Sequence, residues 1–138
     1  MIEYIVNTSQ GALIYQERHI KTYKSSNLSY IKLLCQEGLF TYEGYLMAVK
    51  KVLDIKYKVP VYINDYLMLI PVKRTRDYDN IWINYASINH IRESDDGLEI
   101  EFYSQRKIYL KYSLNSLSKQ IKYLEMIKFM KVKHFHFQ

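Results

Sequence analysis

Few side chains in this sequence could carry out chemistry, and each has a simpler structural interpretation. Cys35 would be a nucleophile if a histidine lay beside it, but its place on the apolar face of a helix favours an inert core residue. His134-Phe135-His136 could supply two imidazole ligands, yet no cysteine or carboxylate lies nearby in the sequence to complete a metal site. We therefore predict no metal site and no cofactor.

Four carboxylates lie close together, as general acid–base or metal chemistry would require. Asp95 and Asp96 precede Gly97, which is typical of an ordinary turn, while Glu99 and Glu101 alternate with apolar residues along a strand. The sequence has no glycine-rich phosphate loop, no paired CxxC elements and no candidate Ser-His-Asp arrangement. These patterns predict that the protein is not an enzyme.

The basic residues give a stronger signal because their distribution along the chain is uneven. The net charge is +6. Residues 1–101 contain 12 Lys and Arg against 13 Asp and Glu, whereas residues 102–138 contain 8 Lys and Arg and only Glu125. A smaller cluster is Lys73-Arg74-Thr75-Arg76. This asymmetry favours binding to nucleic acid or an anionic membrane surface. A solvated basic face is the structural alternative.

Length and composition are typical of a single cytoplasmic domain over residues 1–138. The single cysteine excludes an internal disulfide and suits a reducing compartment. The N-terminus has no basic stretch followed by an apolar run, and no window approaches the roughly 18–20 apolar residues of a membrane span. We expect a soluble cytoplasmic protein without a membrane partner.

Hydrophobic periodicity predicts strands followed by helices in the N-terminal half. The predicted strands cover residues 2–7, 12–16 and 19–24. The predicted helices cover about 28–37 and 42–54. Ser26 or Asn27 is the expected cap of the first helix, and Gly38 its end.

The C-terminal half is predicted to contain strands and one long helix. The predicted strands cover residues 59–63, 66–72 and 81–92, the last with a bulge near Ala86–Asn89, followed by a hairpin around Ser104-Gln105-Arg106. Ser113 or Asn115 caps a helix over about 114–130. Lys128 returns to the apolar face of this helix, so we expect the helix to fray, bend or meet solvent near Ile127.

Together these elements predict an α+β fold. It consists of an antiparallel sheet or partial barrel, a C-terminal helix, and one or two short helices in the N-terminal half. On the outer face of the hairpin, Glu99 and Glu101 would lie across from Lys107 and Lys111, which would neutralise part of its charge. The charge that faces a polyanion must then come mainly from the C-terminal helix and the loop at residues 73–76.

Six short elements occur in order between about residue 39 and residue 121. They are Tyr42-Glu43-Gly44; Lys58 with Pro60-Val61-Tyr62-Ile63; Leu69-Ile70-Pro71; Asp79-Asn80-Ile81-Trp82-Ile83-Asn84; Gly97-Leu98-Glu99-Ile100-Glu101-Phe102; and Ser113-Leu114-Asn115-Ser116-Leu117-Ser118-Lys119-Gln120. No element is specific alone, but their order and almost gap-free spacing resemble the ComK family of bacterial competence transcription factors.

The resemblance implies a transcription activator that binds double-stranded A/T-rich DNA from the minor groove, as a homo-oligomer assembled on the DNA. A narrow A/T minor groove has enhanced negative potential and accepts Arg or Lys side chains. By analogy, we expect Lys50, Lys51, Lys73, Arg74 and Arg76 to contact DNA and Lys119 and Lys122 to contact phosphates.

The chain departs from the family pattern in three places. Tyr45-Leu46 stands where a basic pair is usual, and Pro71-Val72-Lys73-Arg74 replaces a Pro-Thr-x-Ser element. Members also usually continue well past this C-terminus, into a segment that a proteolytic adaptor binds, so we do not assign that partner here. The departures are compatible with a divergent member that has other DNA sites, or with one that pairs with a full-length relative.

Two other functions compete with DNA binding. The chain could be a protein-interaction or anti-regulator module that kept the fold and lost DNA binding, which the missing basic pair suggests. The C-terminal helix could instead dock on anionic lipid. The lysines of that helix lie on more than one face, which argues against a lipid surface.

Overall fold

The computed structural model describes residues 1–136, with side chains through residue 133. Over these residues the chain forms two antiparallel sheets and three α-helices, which confirms the α+β class; neither sheet closes into a barrel. The strands are β1 (Ile2–Thr8), β2 (Gly11–Gln16), β3 (Ile20–Tyr23), β4 (Val61–Asn64), β5 (Leu67–Pro71), β6 (Trp82–Asn84), β7 (Ile88–Ser94), β8 (Gly97–Phe102) and β9 (Lys107–Leu110). The helices are α1 (Asn27–Glu37), α2 (Tyr42–Leu53) and α3 (Leu114–His136). None of the three described helices combines the length and apolar character that crossing a membrane requires.

The larger sheet has the strand order β3-β2-β1-β6-β5-β4, and α1 packs on β1 and β2. Ile5 pairs with Ile14 across these two strands, and both side chains are fully buried. Asn7, two residues along β1 from Ile5, accepts a hydrogen bond at Oδ1 from Asn27 N at 2.7 Å. Asn27 Nδ2 donates to Asn80 O at 2.8 Å. The two hydrogen bonds of Asn27 therefore fix the start of α1 to β1 and to the segment before β6.

The strand predicted over residues 81–92 is interrupted close to the predicted bulge near Ala86–Asn89, but the prediction of a single strand is wrong, because the chain changes sheets there. β6 belongs to the larger sheet and β7 to the smaller sheet, of order β7-β8-β9, with one 3₁₀ turn, Tyr85–Ser87, between them. The buried Asn84 side chain fixes the break, since its Nδ2 donates to Ile2 O at 2.8 Å and to Tyr66 O at 2.9 Å. These bonds tie the end of β6 to two distant parts of the backbone.

Helices α1 and α3 begin at predicted caps. Ser26 Oγ accepts a hydrogen bond from Ser29 N at 3.1 Å, and Ser113 Oγ accepts one from Ser116 N at 3.0 Å. Each bond satisfies a backbone N–H that has no partner within the helix. Gly38 follows the last residue of α1, as predicted.

Of the three outcomes predicted near Ile127, fraying is wrong, because the helix continues to His136, whereas the helix does meet solvent there, since Met126 and Phe129 are exposed. Lys128 does not interrupt it, since the Lys128 Nζ lies 3.1 Å from Asp65 Oδ1 in the β4–β5 turn. The same Asp65 oxygen accepts a hydrogen bond from the Tyr62 hydroxyl at 2.6 Å. The Tyr62 hydroxyl and the Lys128 ammonium lower the pKa of the Asp65 carboxyl. Lys128 thus attaches the helix to the sheet.

Candidate nucleic-acid interface

The segment between α2 and β4 presents three consecutive exposed side chains, Lys56-Tyr57-Lys58, which we call the basic ridge. Ile55 before the ridge and Val59 after it are each only 4% exposed, so the core anchors both ends. Asp54 and Lys58 have the positive φ angles of 57° and 49° that tight turns require. Gln120 on α3 donates from Nε2 to Lys58 O at 2.8 Å. The ridge is therefore held in place by its backbone while its side chains remain in solvent.

The basic ridge borders two clefts, one toward α3 and one toward the loop at residues 73–79. The first ridge cleft has a volume of about 320 Å³ and is lined by the ridge and by Lys119. The second ridge cleft has a volume of about 580 Å³ and is lined by the ridge, Arg74 and Arg76. Together the walls carry five cations and two carboxylates: Lys56, Lys58, Arg74, Arg76 and Lys119 against Asp54 and Asp77.

Two of the five cations have a carboxylate neighbour, and both ion pairs are open to solvent. Arg74 Nε lies 3.3 Å from Asp77 Oδ2, and Lys56 Nζ lies 3.7 Å from Asp54 Oδ1. Exposed pairs of this kind contribute only about 0–1 kcal/mol, so either cation can exchange its carboxylate for a phosphate at little cost. Within residues 1–133 the other three cations have no carboxylate partner: Lys58, Arg76 and Lys119.

The structure brings three of the seven expected contact residues together and places four elsewhere. Arg74, Arg76 and Lys119 line the ridge clefts. The four outside the clefts are all exposed: Lys50, Lys51, Lys73 and Lys122. Among them Lys73 forms an ion pair with Asp79, and this partner lowers the pKa of the Asp79 carboxyl. Sequence reasoning missed Lys56 and Lys58 as contact residues; two lysines around a tyrosine, directly before Val59-Pro60, were the available signal.

Arg106 joins the two sheets instead of facing solvent. It lies in the β8–β9 turn, and its Nε is 3.1 Å from Glu3 Oε1 on β1, where the Glu3 side chain is only 2% exposed. The Arg106 guanidinium also lies 5.0 Å from the centroid of the Tyr15 ring. On the same hairpin Lys107 Nζ lies 3.3 Å from Glu99 Oε1, so cross-strand pairing neutralises charge here as predicted.

Lys131 on α3 is likewise held within the protein. Its Nζ lies 4.1 Å from the ring centroid of Phe40, 5.3 Å from that of Tyr45 and 5.6 Å from that of Tyr62. It donates a hydrogen bond to Tyr62 O at 2.9 Å. Burial lowers the pKa of Lys131. With Arg106, Lys107 and Lys128, this makes four basic residues of the last quarter of the chain that have a partner within the protein.

The side chains that could have carried out chemistry have structural roles wherever the structure describes them. Cys35 is fully buried, and burial raises the pKa of its thiol to about 11. Asp95 and Asp96 form the turn between β7 and β8. No group of three or more His, Cys, Asp or Glu side chains in the described part of the chain is placed to hold a metal ion. The side chains of His134 and His136 lie outside the described residues.

A comparison with protein families identifies what kind of protein carries this ridge. The family model described as ComK protein matches residues 3–135 of the 138-residue chain. The chain belongs to the ComK family. ComK proteins are transcription factors of genetic competence, so the chain has that type of role. The match includes the basic ridge and both ridge clefts. Comparisons with curated proteins and with solved structures give no match.

The departure from the ComK pattern at Tyr45-Leu46 lies mostly inside the protein. Tyr45 is 7% exposed, and its hydroxyl donates to Pro60 O at 2.6 Å and accepts from Tyr62 N at 3.1 Å. Leu46 is half-buried. The Tyr45 side chain therefore ties α2 to the start of β4 in this ComK chain, directly after the basic ridge. A cation at this position would lose both hydrogen bonds and lie in the core.

Proposed function

We propose that this ComK-family chain is a DNA-binding transcription regulator that recognises A/T-rich sites, chiefly through minor-groove and phosphate contacts. The observation that carries the proposal is the grouping of five cations in two clefts on one exposed ridge. Duplex DNA has a negatively charged phosphate strand on each side of a groove. Two basic clefts that share a ridge would accept one strand each, with the ridge directed into the groove between them.

The shape of an A/T tract favours such an element. Its minor groove is narrow and has an enhanced negative potential that attracts inserted Arg and Lys side chains. The minor groove of B-DNA is only about 6 Å wide, which suits a loop with one or two side chains better than a helix. We assign the ridge lysines, Lys56 and Lys58, to the groove. We assign the phosphates to Arg74, Arg76 and Lys119 in the clefts, and further phosphates to the exposed lysines outside them, Lys50, Lys51, Lys73 and Lys122.

Fluorescence anisotropy with labelled A/T-tract and G/C duplexes over a range of salt concentrations tests the proposal. We expect tighter binding to the A/T duplex and a linear fall of log K with log salt, of about 0.9 per phosphate contact. Arg76→Gln with Lys119→Gln removes one cation from each cleft and should reduce the slope by about 1.8. The control, Lys107→Gln with Lys111→Gln, removes the same charge at the three-stranded sheet and should keep the slope.

Two outcomes would contradict the proposal. Equal affinity for both duplexes at every salt concentration would exclude A/T recognition. Equal loss of slope in the two double variants would show that only the net charge matters, and that the ridge clefts are not the interface. Thermal unfolding of each variant should match that of the wild type, because all four side chains are exposed.

One observation favours the alternative function, a protein-interaction or anti-regulator module without DNA binding. A groove of about 320 Å³ lies between α2 and α3, with apolar walls that include Val49, Val52 and Ile127. The same helices expose Met47 (73%) and Phe129 (65%). Exposed apolar surface of this kind marks protein contacts. Wild-type protein that binds neither duplex, even at low salt, would favour this function.

A further inference from the structure

Tyr57 at the centre of the basic ridge is exposed in a way that folding does not explain. Its side chain is 83% exposed, and no aromatic ring of residues 1–133 pairs with it. Tyrosine offers a large contact area at a low entropic cost and is enriched at interfaces. Exposure alone does not single it out, since Tyr66 and Tyr109 are each 73% exposed.

The surroundings of Tyr57 distinguish it from the other exposed tyrosines. Tyr57 lies between Lys56 and Lys58 and lines both ridge clefts. Tyr109, in contrast, lies on β9 directly opposite Glu99. Tyr66 follows Asp65 in the β4–β5 turn. Of these three rings, only Tyr57 stands where two clefts meet whose walls carry more cations than carboxylates.

The backbone presents the Tyr57 ring from a fixed position. The buried side chains of Ile55 and Val59 anchor the segment on both sides, and the Gln120 amide holds Lys58 O. Pro60 restricts the backbone immediately after these residues. A ring on an anchored loop pays less entropy on binding than a ring on a flexible one, so more of its contact energy appears as affinity.

We propose that the Tyr57 ring is the base-contacting side chain of this surface and enters the DNA as a wedge between two base pairs. The proposal rests on the DNA-binding function above and adds the residue that contacts bases. Many proteins that bind the minor groove insert an apolar side chain between base pairs and partly unstack them. The ring of tyrosine offers a comparable apolar face. Pyrimidine–purine steps such as TA unstack most easily, and A/T-rich sites contain them. Uncharged Tyr57 would thus contact bases while the cations around it contact phosphates.

The test combines affinity with a reporter of unstacking. A/T duplexes carry 2-aminopurine at a TA step, and its fluorescence should rise when wild-type protein binds. Tyr57→Ala should weaken binding about 5- to 150-fold, the range that loss of one base–aromatic contact gives, without changing the salt slope. It should also abolish the fluorescence rise at saturating protein. Tyr57→Phe keeps the ring and should retain both, and the matched control Tyr109→Ala should behave as the wild type.

The outcomes separate this proposal from the proposed function. If the wild type binds A/T DNA and Tyr57→Ala binds equally well with the same fluorescence rise, the wedge is excluded and the DNA-binding function stands. If Tyr57→Ala and Tyr109→Ala weaken binding equally, Tyr57 has no special place and the wedge is again excluded. If the wild type binds no duplex, both proposals fail. Tyr57 is solvent-exposed, so unfolding curves should not differ between these variants.

Discussion

Arg106 and Lys58 both lie in short connections, but the protein uses their charges in opposite ways. Arg106, in the β8–β9 turn, is 27% exposed and lies 3.1 Å from a carboxylate that is 2% exposed. Lys58, in the basic ridge, is exposed, and the described part of the chain offers its ammonium no carboxylate. Only the Lys58 backbone is bound, through Gln120. One cation thus belongs to the joint between the sheets, and the other remains available to a ligand.

This comparison shows that the position of an interface is indicated by cations without a partner in the protein, and not by the net charge of a segment. A carboxylate as buried as Glu3 costs several kcal/mol unless a cation compensates it, so Arg106 is committed to folding. An exposed lysine has no such cost, and its interactions with other surface charges are weak. In the last quarter of the chain Lys131 is likewise held inside the protein, and Lys107 and Lys128 each lie beside a carboxylate in a more exposed ion pair. The surplus in that quarter overstates what a polyanion could contact there.

The largest expected effect on stability is at the joint between the sheets. Arg106→Ala leaves the Glu3 carboxylate buried without its cation, which typically costs about 3–5 kcal/mol of unfolding free energy. We expect the lower end of this range, because Arg106 is partly exposed and water can approach the site. Urea unfolding followed by circular dichroism measures the change. Lys107→Ala, on the same hairpin, is the control and should cost less than about 1 kcal/mol.

A double variant sharpens this prediction. Glu3→Leu with Arg106→Leu removes both charges, so no buried carboxylate is left without a partner. It should be less destabilised than Arg106→Ala alone, since replacing a buried pair by apolar residues is often neutral. If Arg106→Ala cost no more than Lys107→Ala, Arg106 would not be committed to the joint, and the contrast with Lys58 would disappear.

An intermediate effect on stability is expected at Lys131, whose ammonium contacts aromatic rings instead of a carboxylate. Lys131→Ala removes the cation over Phe40 and the hydrogen bond to Tyr62 O. A partly desolvated cation–π contact contributes about 0.5–2 kcal/mol, so we expect a loss of about 1–2 kcal/mol in urea unfolding. Lys133→Ala, two residues further along α3 and exposed, is the control and should change little. Equal effects of the two substitutions would exclude a structural role of the ammonium.

The pH dependence gives a second measure at Lys131. Burial lowers its pKa in the folded protein below the unfolded value of 10.5. Between the two values the unfolded chain binds more protons, so the free energy of unfolding rises with pH there. The stability of the wild type relative to Lys131→Met should therefore increase as the pH is raised from neutral toward 10.5. If the difference in unfolding free energy between the wild type and Lys131→Met stayed constant over this pH range, burial would not disfavour the charged form of Lys131.

The sequence predicted those elements that are specified locally and missed what distant residues decide. The caps at Ser26 and Ser113 depend on side chains within three residues of the helix start, so their sequence signal is complete. The sheet change after β6 depends on Asn84 bonds to Ile2 O and Tyr66 O, which no local pattern contains. The extent of α3 was missed for the same reason, since Lys128 finds its partner, Asp65, in a distant turn.

The candidate site shows the same limit. Arg74 and Arg76 were predicted from a visible cluster of cations, and Lys119 from the resemblance and the basic last quarter of the chain; the fold brings them to one surface. Lys56 and Lys58 join them only because Gln120 fixes the ridge beside α3. Arg106 is not available to DNA because it pairs with Glu3, near the other end of the chain. A count of charges along the sequence could not reveal this pairing.

The smallest expected effect on stability is at the basic ridge. Lys56→Gln with Lys58→Gln keeps the side-chain length and removes two exposed charges, one of which has only a weak pair with Asp54 at 3.7 Å. The free energy of unfolding should change by no more than about 0.5 kcal/mol. The slope of log K for A/T DNA against log salt should still fall, by up to about 0.9 for each lost charge, because a cation in the groove also neutralises the phosphates on either side of it. Urea unfolding and anisotropy on the same protein preparation measure both quantities.

This double variant decides whether the two uses of charge are separate. Arg106→Ala should lower stability strongly, and any effect on DNA binding should disappear once the folded fraction is taken into account. The ridge variant should do the reverse, because its cations contribute nothing to the fold that water cannot replace. A ridge variant that loses several kcal/mol of stability, or one that keeps the full salt slope, would place the DNA contacts elsewhere. The exposed lysines outside the clefts, Lys50, Lys51 and Lys122, would then be the next residues to substitute.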